Sequence, residues 1–549
     1  MILVGLLAAL AWEAWDTGVI IDGPSHLLSA YLYWHGADNL QPGDMPPLIK
    51  IVGGWVPSLF RLPIPYDNKQ MWATQNEWRI SGEMIARMSG PQIHAVFFYS
   101  RLPFLIFPLL TALLIWRWAT QRFSAWVGVL LMLAYAFEPT ALAHGPLFKN
   151  DLAATFTYLL FWYRAWKFWK DPRLRNTAWM GLALLLAILA KMSMLFLIGV
   201  APLLVVLRYA TLPPRRLRPA IVPLLLVLLI PYLGAIAAYQ FRTRRIPAAE
   251  MAAFARDPAL PKPLLLGAQV FRVLPVPWPM WGGVVSLFQS GHQDNPVYLL
   301  GRRYVRGHPL YFVIALALKI PIPLQILMAC GAALLAIRWK RREFQPLDLF
   351  WLLPPLVYIL LASLTPLQYG VRLVLPALPF GLLLCGVAIA EWIPGRRIAI
   401  VACLLTWLAV RSAEIYPHGI SFFNLWIGGP ESGLQYLADS NVDWGQDLAD
   451  LAEFTKAHDI RKIYLSYFGN DNPYRYFSED QLEVIAPPWS KELAKDPVFQ
   501  PGPGFYAISA NLLPGHFFGP QHRDYYKVFR EMEPIAKAGY SIHIYLVER

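Results

Sequence analysis

Residues 177–209 read TAWMGLALLLAILAKMSMLFLIGVAPLLVVLRY. The stretch is too long for one crossing, since about 20 residues of helix span a hydrocarbon core of about 30 Å. A lysine held at mid-bilayer depth is costly. Lys191-Met192-Ser193 therefore reads as a turn at a membrane edge, joining two spans at 177–190 and 192–209.

The same pattern repeats outward from this hairpin. Further apolar runs lie at roughly 2–21, 96–116, 123–142, 152–168, 219–241, 309–337, 347–364, 372–391 and 397–412, which makes eleven predicted spans. Composition agrees: 56% of the 549 residues are hydrophobic and only 15% are charged, against about 25% charged in a soluble protein. The first run carries Glu13 and Asp16 near its end and has no basic segment before it, so it reads as a retained helix and not a signal peptide.

The formal charge of +13 sits in short caps between the runs: Arg117 and Arg122; Arg164 to Arg175; Arg208 to Arg218; Arg338 to Arg342; Arg396 and Arg397. Asp171 is the one acid among them. This distribution is the positive-inside pattern, and it excludes nucleic acid as a partner because no basic stripe interleaved with aromatics accompanies it. Eleven spans put every cap in the cytoplasm, with the N-terminus inside and the tail outside. Cys330, Cys385 and Cys403 lie in apolar runs without metal-ligand spacing and read as small core residues.

Two long outer loops are expected, at 22–95 and 242–308, the first with surface helices around Trp72 to Met88. The membrane domain covers 1–412. The tail, 413–549, reads as a small extracytoplasmic α/β domain: helices over Gly433 to His458 and Tyr526 to Ala538, strands over Lys462 to Phe468, Gly504 to Ala510 and Ser541 to Val547.

This topology gathers ionisable residues at one membrane face. Asp22 and His26 follow the first span, Asp151 opens the fourth, Lys191 stands in the turn, and Arg372 begins the tenth. Two acids and two fixed cations at a lipid interface suit a substrate with a phosphate at headgroup depth, whose oxygens Lys and Arg would bind. A sugar on a lipid phosphate has a good leaving group, so one base can suffice where hydrolytic glycosidases use two carboxylates. Asp22 is assigned as that base, with Asp151 orienting the acceptor or tuning Asp22. The plainer readings are a solvated helix end for Asp22, an N-cap for Asn150-Asp151, and interfacial anchors for Lys191 and Arg372. The histidines, His26, His35, His94 and His144, lack metal-ligand spacing.

The pattern resembles the polytopic GT-C glycosyltransferases of family 39, the dolichyl-phosphate-mannose protein mannosyltransferase and aminoarabinose transferase type. The carrying residues are Asp22 with His26-Leu27-Leu28, Gly43-Asp44-Met45-Pro46-Pro47-Leu48, Leu142-Ala143-His144 before Asp151, Leu189-Ala190-Lys191, and Gly370-Val371-Arg372 before Leu375-Pro376. In the tail, Ser421-Phe422-Phe423-Asn424, Gly428-Gly429-Pro430 and Asp439 to Leu448 are similar to a bacterial subgroup. The resemblance implies an inverting glycosyltransferase in a bacterial inner membrane. It would use a polyprenyl-phosphate-linked sugar donor on the outer side, with an acceptor of unspecified kind and membrane lipids as partners. It also implies catalytic Asp22 and Asp151, donor-phosphate contacts from Lys191 and Arg372, substrate contacts from His26 and Asp44, and room for a divalent metal ion. Asp44-Met45 departs from the family, which often has Glu followed by a basic residue or His there. Lys191 and Arg372 would then carry more of the neutralisation. The alternative is a transporter or flippase of lipid-linked glycans, which would tend to show repeated halves and helices broken at mid-membrane. A binding tail on a helical anchor would need far fewer spans.

Overall fold

In the computed structural model, Lys191 does separate two helices, α6 (Leu174–Ala190) and α7 (Met192–Thr211), and is itself extended. Residues 1–36, 45–211, 218–489 and 496–548 are described by the structure. Before α6 come α1 (Ile2–Asp16), α2 (Gly23–Trp34), α3 (Gly90–Arg122), α4 (Ala125–Ala136) and α5 (Asp151–Lys170). After α7 come α8 (Arg218–Ala238), α9 (Tyr311–Lys319), α10 (Ile322–Lys340), α11 (Pro346–Ser363), α12 (Val371–Trp392) and α13 (Ile398–Ile415). Among the described residues, seven helices are long and apolar enough to cross a membrane. With α1, α4, α5 and α6, which are shorter or more charged, they correspond to the eleven predicted runs. The chain is an integral membrane protein.

Burial sorts these helices into layers. In α12, 78% of the apolar window is inside the protein, against 28% in α7, α8, α10, α11 and α13. The latter expose rows such as Leu225, Leu229 and Leu233 on α8, which are four residues apart and form a lipid-facing stripe. The centre belongs to α12 and α5, and α5 packs against α3, α6, α11 and the start of α12.

The basic caps meet one another at a single end of this bundle. Arg122 binds Asp348 through two bonds of 2.6 and 2.8 Å, Arg208 donates to Trp169 O at 2.7 Å, and Arg338 pairs with Glu391 at 3.1 Å. Asp151 lies at the opposite end of α5, about 30 Å away at 1.5 Å per residue.

Two expectations need correction in the membrane part. The run predicted at 309–337 is two helices, α9 and α10, because Pro321 has no N–H to continue the ladder. Lys319, at the break, turns inward and donates to Ile420 O at 2.8 Å and Asn441 O at 2.7 Å. The segment 22–95 is also more than a surface loop. It contains α2, nearly all of whose residues are buried, with the helices Lys69–Ala73 and Glu77–Ala86 near where surface helices were expected.

A boundary at Ser412 falls in the last turn of α13. The tail holds a sheet of β1 (Ile463–Ser466), β2 (Leu482–Val484), β3 (Gly504–Ser509), β4 (Ala536–Ala538) and β5 (Ile542–Val547), ordered β2-β1-β3-β5-β4. The β1 strand is parallel to β2 and β3, and β5 is antiparallel to β3 and β4. Alternation divides the faces: Phe505 and Ala507 pack with Leu448 and Leu451, while Tyr506 and Ile508 pack with Phe529 and Tyr545.

Both tail helices are shorter than predicted. Over 433–458 only α14 (Leu448–Ala457) is α-helical. The residues before it spend their backbone groups on distant partners, with Gly18 N donating to Gln446 O at 3.1 Å and Ile21 N to Trp444 O at 2.8 Å. Over 526–538 the α-helix is Lys527–Glu531, and β4 follows Pro534.

His516 gives this domain a pH-dependent weakness. Its ring lies 3.9 Å from the Phe517 ring, centre to centre, is 2% exposed, and leaves Nδ1 without a hydrogen-bond partner among the described residues. Burial, with help from the Arg303 charge, pushes its pKa down from 6.5 to about 3. The unfolded chain takes up a proton below pH 6.5 that the folded chain refuses until near pH 3, so stability falls as pH falls through that window. At pH 5 the penalty is about 2 kcal/mol. His516→Phe should therefore narrow the gap between the melting temperatures at pH 7 and pH 5; an unchanged gap would refute this.

Candidate active site

Asp151 stands at the N-terminus of α5, where free N–H groups and the helix dipole favour a negative charge. Asn150 makes no side-chain cap, and the carboxylate of Asp151 is engaged elsewhere. Lys191 Nζ donates to Asp151 Oδ1 at 2.6 Å, and Arg372 Nη1 lies 3.6 Å from Oδ2. Extended backbone at Lys191 lets its side chain reach across from the end of α6 to the start of α5.

Asp22 precedes α2, one turn before the buried His26, whose N–H donates to Asp22 O at 3.2 Å. Lys149 donates to Asp22 Oδ2, and Arg372 Nη2 is 3.9 Å from the same oxygen. Arg372 thus bridges the two acids. The four side chains Asp22, Asp151, Lys191 and Arg372 meet in one cluster, drawn from four separate stretches of chain. Their environments differ: the Asp22 side chain is 15% exposed and that of Asp151 2%, so Asp22 is the acid an incoming group can reach. Asp44 lies outside the described residues.

The tail completes this cluster. Arg372 Nε donates to Ser440 Oγ at 2.9 Å, and its guanidinium lies 4.4 Å from the centre of the Trp444 ring. Lys149 Nζ lies 4.9 Å from the same ring, so two cations share one buried indole, a contact that strengthens when desolvated. Asn441 Oδ1 accepts from Val371 N at 2.9 Å and Asn441 Nδ2 donates to Tyr311 Oη at 2.9 Å. Gly370, beside them, has φ of 110°, a backbone state that favours glycine, and a side chain there would meet Ser440 Oγ. Asp439 faces Arg372 and Lys149 from the next position, and burial holds its carboxyl above the usual range against the pull of Arg372.

Lys149, Ser440 and Trp444 were not assigned from sequence. Lys149 stands two positions before Asp151, on the same predicted outer face, and that placement was the available signal. Ser440 and Trp444 lie in a tail motif whose contact with the membrane domain no periodicity reveals. Each acid of the pair has a lysine partner.

Residues 90–235 match the family model described as dolichyl-phosphate-mannose-protein mannosyltransferase. The matched stretch runs from the start of α3 into α8 and includes Lys149, Asp151 and Lys191. The likeness to that family is carried by these residues, about a quarter of the chain. Among solved structures the chain is similar to ArnT from Cupriavidus metallidurans in the apo state, at 13% identity over 99% of this chain and 96% of that one, with a TM-score of 0.44. It is also similar to that protein bound to undecaprenyl phosphate, at 12% identity over 99% and 96%, TM-score 0.41. A third is the Archaeoglobus fulgidus oligosaccharyltransferase in complex with zinc and sulfate, at 13% identity over 93% and 68%, TM-score 0.38. Among curated proteins, no sequence matches significantly.

Proposed function

We propose that this enzyme transfers a sugar from a polyprenyl-phosphate donor to an acceptor hydroxyl on the extracytoplasmic side, with inversion at the sugar carbon. The observation that carries the reading is the charge of the cluster. Lys149, Lys191 and Arg372 converge around Asp22 and Asp151 in side chains no more than 15% exposed, and Asp439 stands beside them. A phosphodiester anion entering among the three cations would be drawn by each of them, and low-dielectric surroundings make that attraction strong.

In the proposed reaction the donor phosphate is held by Arg372 and Lys191, and Lys149 shifts its ammonium from Asp22 towards a phosphate oxygen. Asp22, freed of its partner, takes the proton of the acceptor hydroxyl. The acceptor oxygen forms its bond to the anomeric carbon from the face opposite the phosphate. The bond from that carbon to the phosphate oxygen breaks, and polyprenyl phosphate leaves with the electron pair. Asp151, sealed behind Arg372, keeps that arginine and Lys191 in place. The membrane lipid supplies the setting for the polyprenyl chain.

The test uses the purified enzyme with a synthetic polyprenyl-phosphate sugar and a membrane lipid extract as acceptor source. Free polyprenyl phosphate should accumulate, and unlabelled polyprenyl phosphate should compete while neutral polyprenol does not. Donor that crosses a liposome membrane chemically unchanged, without release of polyprenyl phosphate, would sink the reading in favour of transport.

A further inference from the structure

A second ionisable cluster lies where the end of α1 meets the tail, apart from the Asp22–Asp151 site. His418 follows α13, and Asp447 and Asp450 lie at the start of α14. His418 Nδ1 is 3.5 Å from Asp447 Oδ1, and His418 Nε2 is 4.0 Å from Asp450 Oδ1. One ligand atom from each of the three lies within 4.8 Å of the other two. Glu13 and Asp16 line the same crevice, whose open centre of about 10 Å³ has room for one ion or water.

Glu13 supplies an independent sign of a missing partner. It is 1% exposed, its Oε2 accepts from Thr17 Oγ1 at 3.3 Å, and its Oε1 has no hydrogen-bond partner among the described residues. A buried carboxylate oxygen left unpaired is expensive. The nearby Arg101 does not relieve it, because that guanidinium donates to Ala14 O, Thr17 O and Gly18 O at the end of α1. Four acids therefore face one imidazole.

We propose that His418, Asp447 and Asp450 bind a divalent transition-metal ion of the zinc or manganese kind, with Glu13 turned towards it from α1. One imidazole nitrogen with carboxylate oxygens suits those ions, whereas magnesium and calcium favour all-oxygen sets. Asp447 turns Oδ1 towards His418 while its Oδ2 accepts from Gln446 Nε2 at 3.0 Å, a bond that fixes the ligand's orientation. The role is structural: the ion ties α1 and the turn after α13 to the segment Trp444–Asp450. Since Gly18 and Ile21 hydrogen-bond to Gln446 and Trp444, the clamp holds the tail against the chain leading into Asp22.

The test is independent of any transferase assay. The full-length protein in detergent is stripped with chelator, incubated with Zn²⁺ or Mn²⁺ alone, dialysed, and analysed for metal and for melting temperature. About one ion per chain should remain and the melting temperature should rise. Asp450→Asn, at the open rim of the crevice, should weaken retention by about tenfold or more. With Mn²⁺ bound, electron spin-echo spectra should show an imidazole nitrogen that His418→Gln removes. Failure of the wild-type protein to retain either ion, retention unaltered in Asp450→Asn, or a nitrogen signal surviving in His418→Gln would each overturn the proposal. Histidine and the acids would then form only an ion-paired junction.

Discussion

Asp22→Asn should lower the turnover rate by about 10²–10⁴-fold, the range that a positioned general base contributes, while the protein inserts and binds polyprenyl phosphate normally. The amide keeps the size of the carboxylate and can still accept from Lys149, so packing around α2 is preserved. What it loses is the ability to hold a proton from the acceptor. One complication is built into the geometry: Lys149 is only 9% exposed, and a buried ammonium deprived of its counter-charge can be strongly destabilising. Lys149→Gln and the double variant Asp22→Asn/Lys149→Gln separate these effects. If inactivity came from the stranded lysine, the double variant would rise to the turnover of Lys149→Gln alone. Under the base assignment it stays as inactive as Asp22→Asn, with a recovered melting temperature. Turnover by Asp22→Asn close to that of the unaltered enzyme would end the assignment.

What could be read in advance follows from the reach of each physical signal. Apolar length and basic caps act within a single span, so the eleven runs and the gathering of Asp22, Asp151, Lys191 and Arg372 at one end of the bundle were legible from local sequence. Pro321 was visible too, but a run that is apolar on both sides of a proline keeps its hydropathy, and α9 and α10 were read as one. The tail motif over 439–448 was visible as a pattern without a role. Its backbone pairs with Gly18 and Ile21 more than 400 residues away, and nothing in a local period encodes such a partner. The same limit explains the overlong helix expected over 433–458: its composition permits helix, but those long-range bonds compete for the backbone and win. Lys149 escaped notice because a lysine near a span end has an ordinary explanation as an interfacial anchor. Only its contact with Asp22 distinguishes it.

Arg372→Gln should cost the enzyme most of its hold on the donor phosphate, and the argument rests on how many groups this one side chain joins. Its fork reaches both acids, its Nε is fixed by Ser440, and its flat face lies on Trp444. Without it the cluster loses the cation that lies between the two acids, and its share of the attraction for a phosphodiester goes with it. Two unit charges 4 Å apart interact by about 4 kcal/mol at an effective dielectric constant near 20. Polyprenyl phosphate affinity should accordingly fall by about 10²–10³-fold, with kcat/KM for the donor falling at least as far. Arg372→Lys keeps the charge but loses the planar fork, and should recover only part of the binding. Ser440→Ala removes the anchor and leaves the guanidinium, so its loss should be smaller than either. Binding of polyprenyl phosphate by Arg372→Gln as tight as by the unaltered protein, measured by competition with labelled donor, would place the phosphate elsewhere. A loss confined to turnover with binding intact would instead mean that Arg372 acts on Asp22 and Asp151 alone.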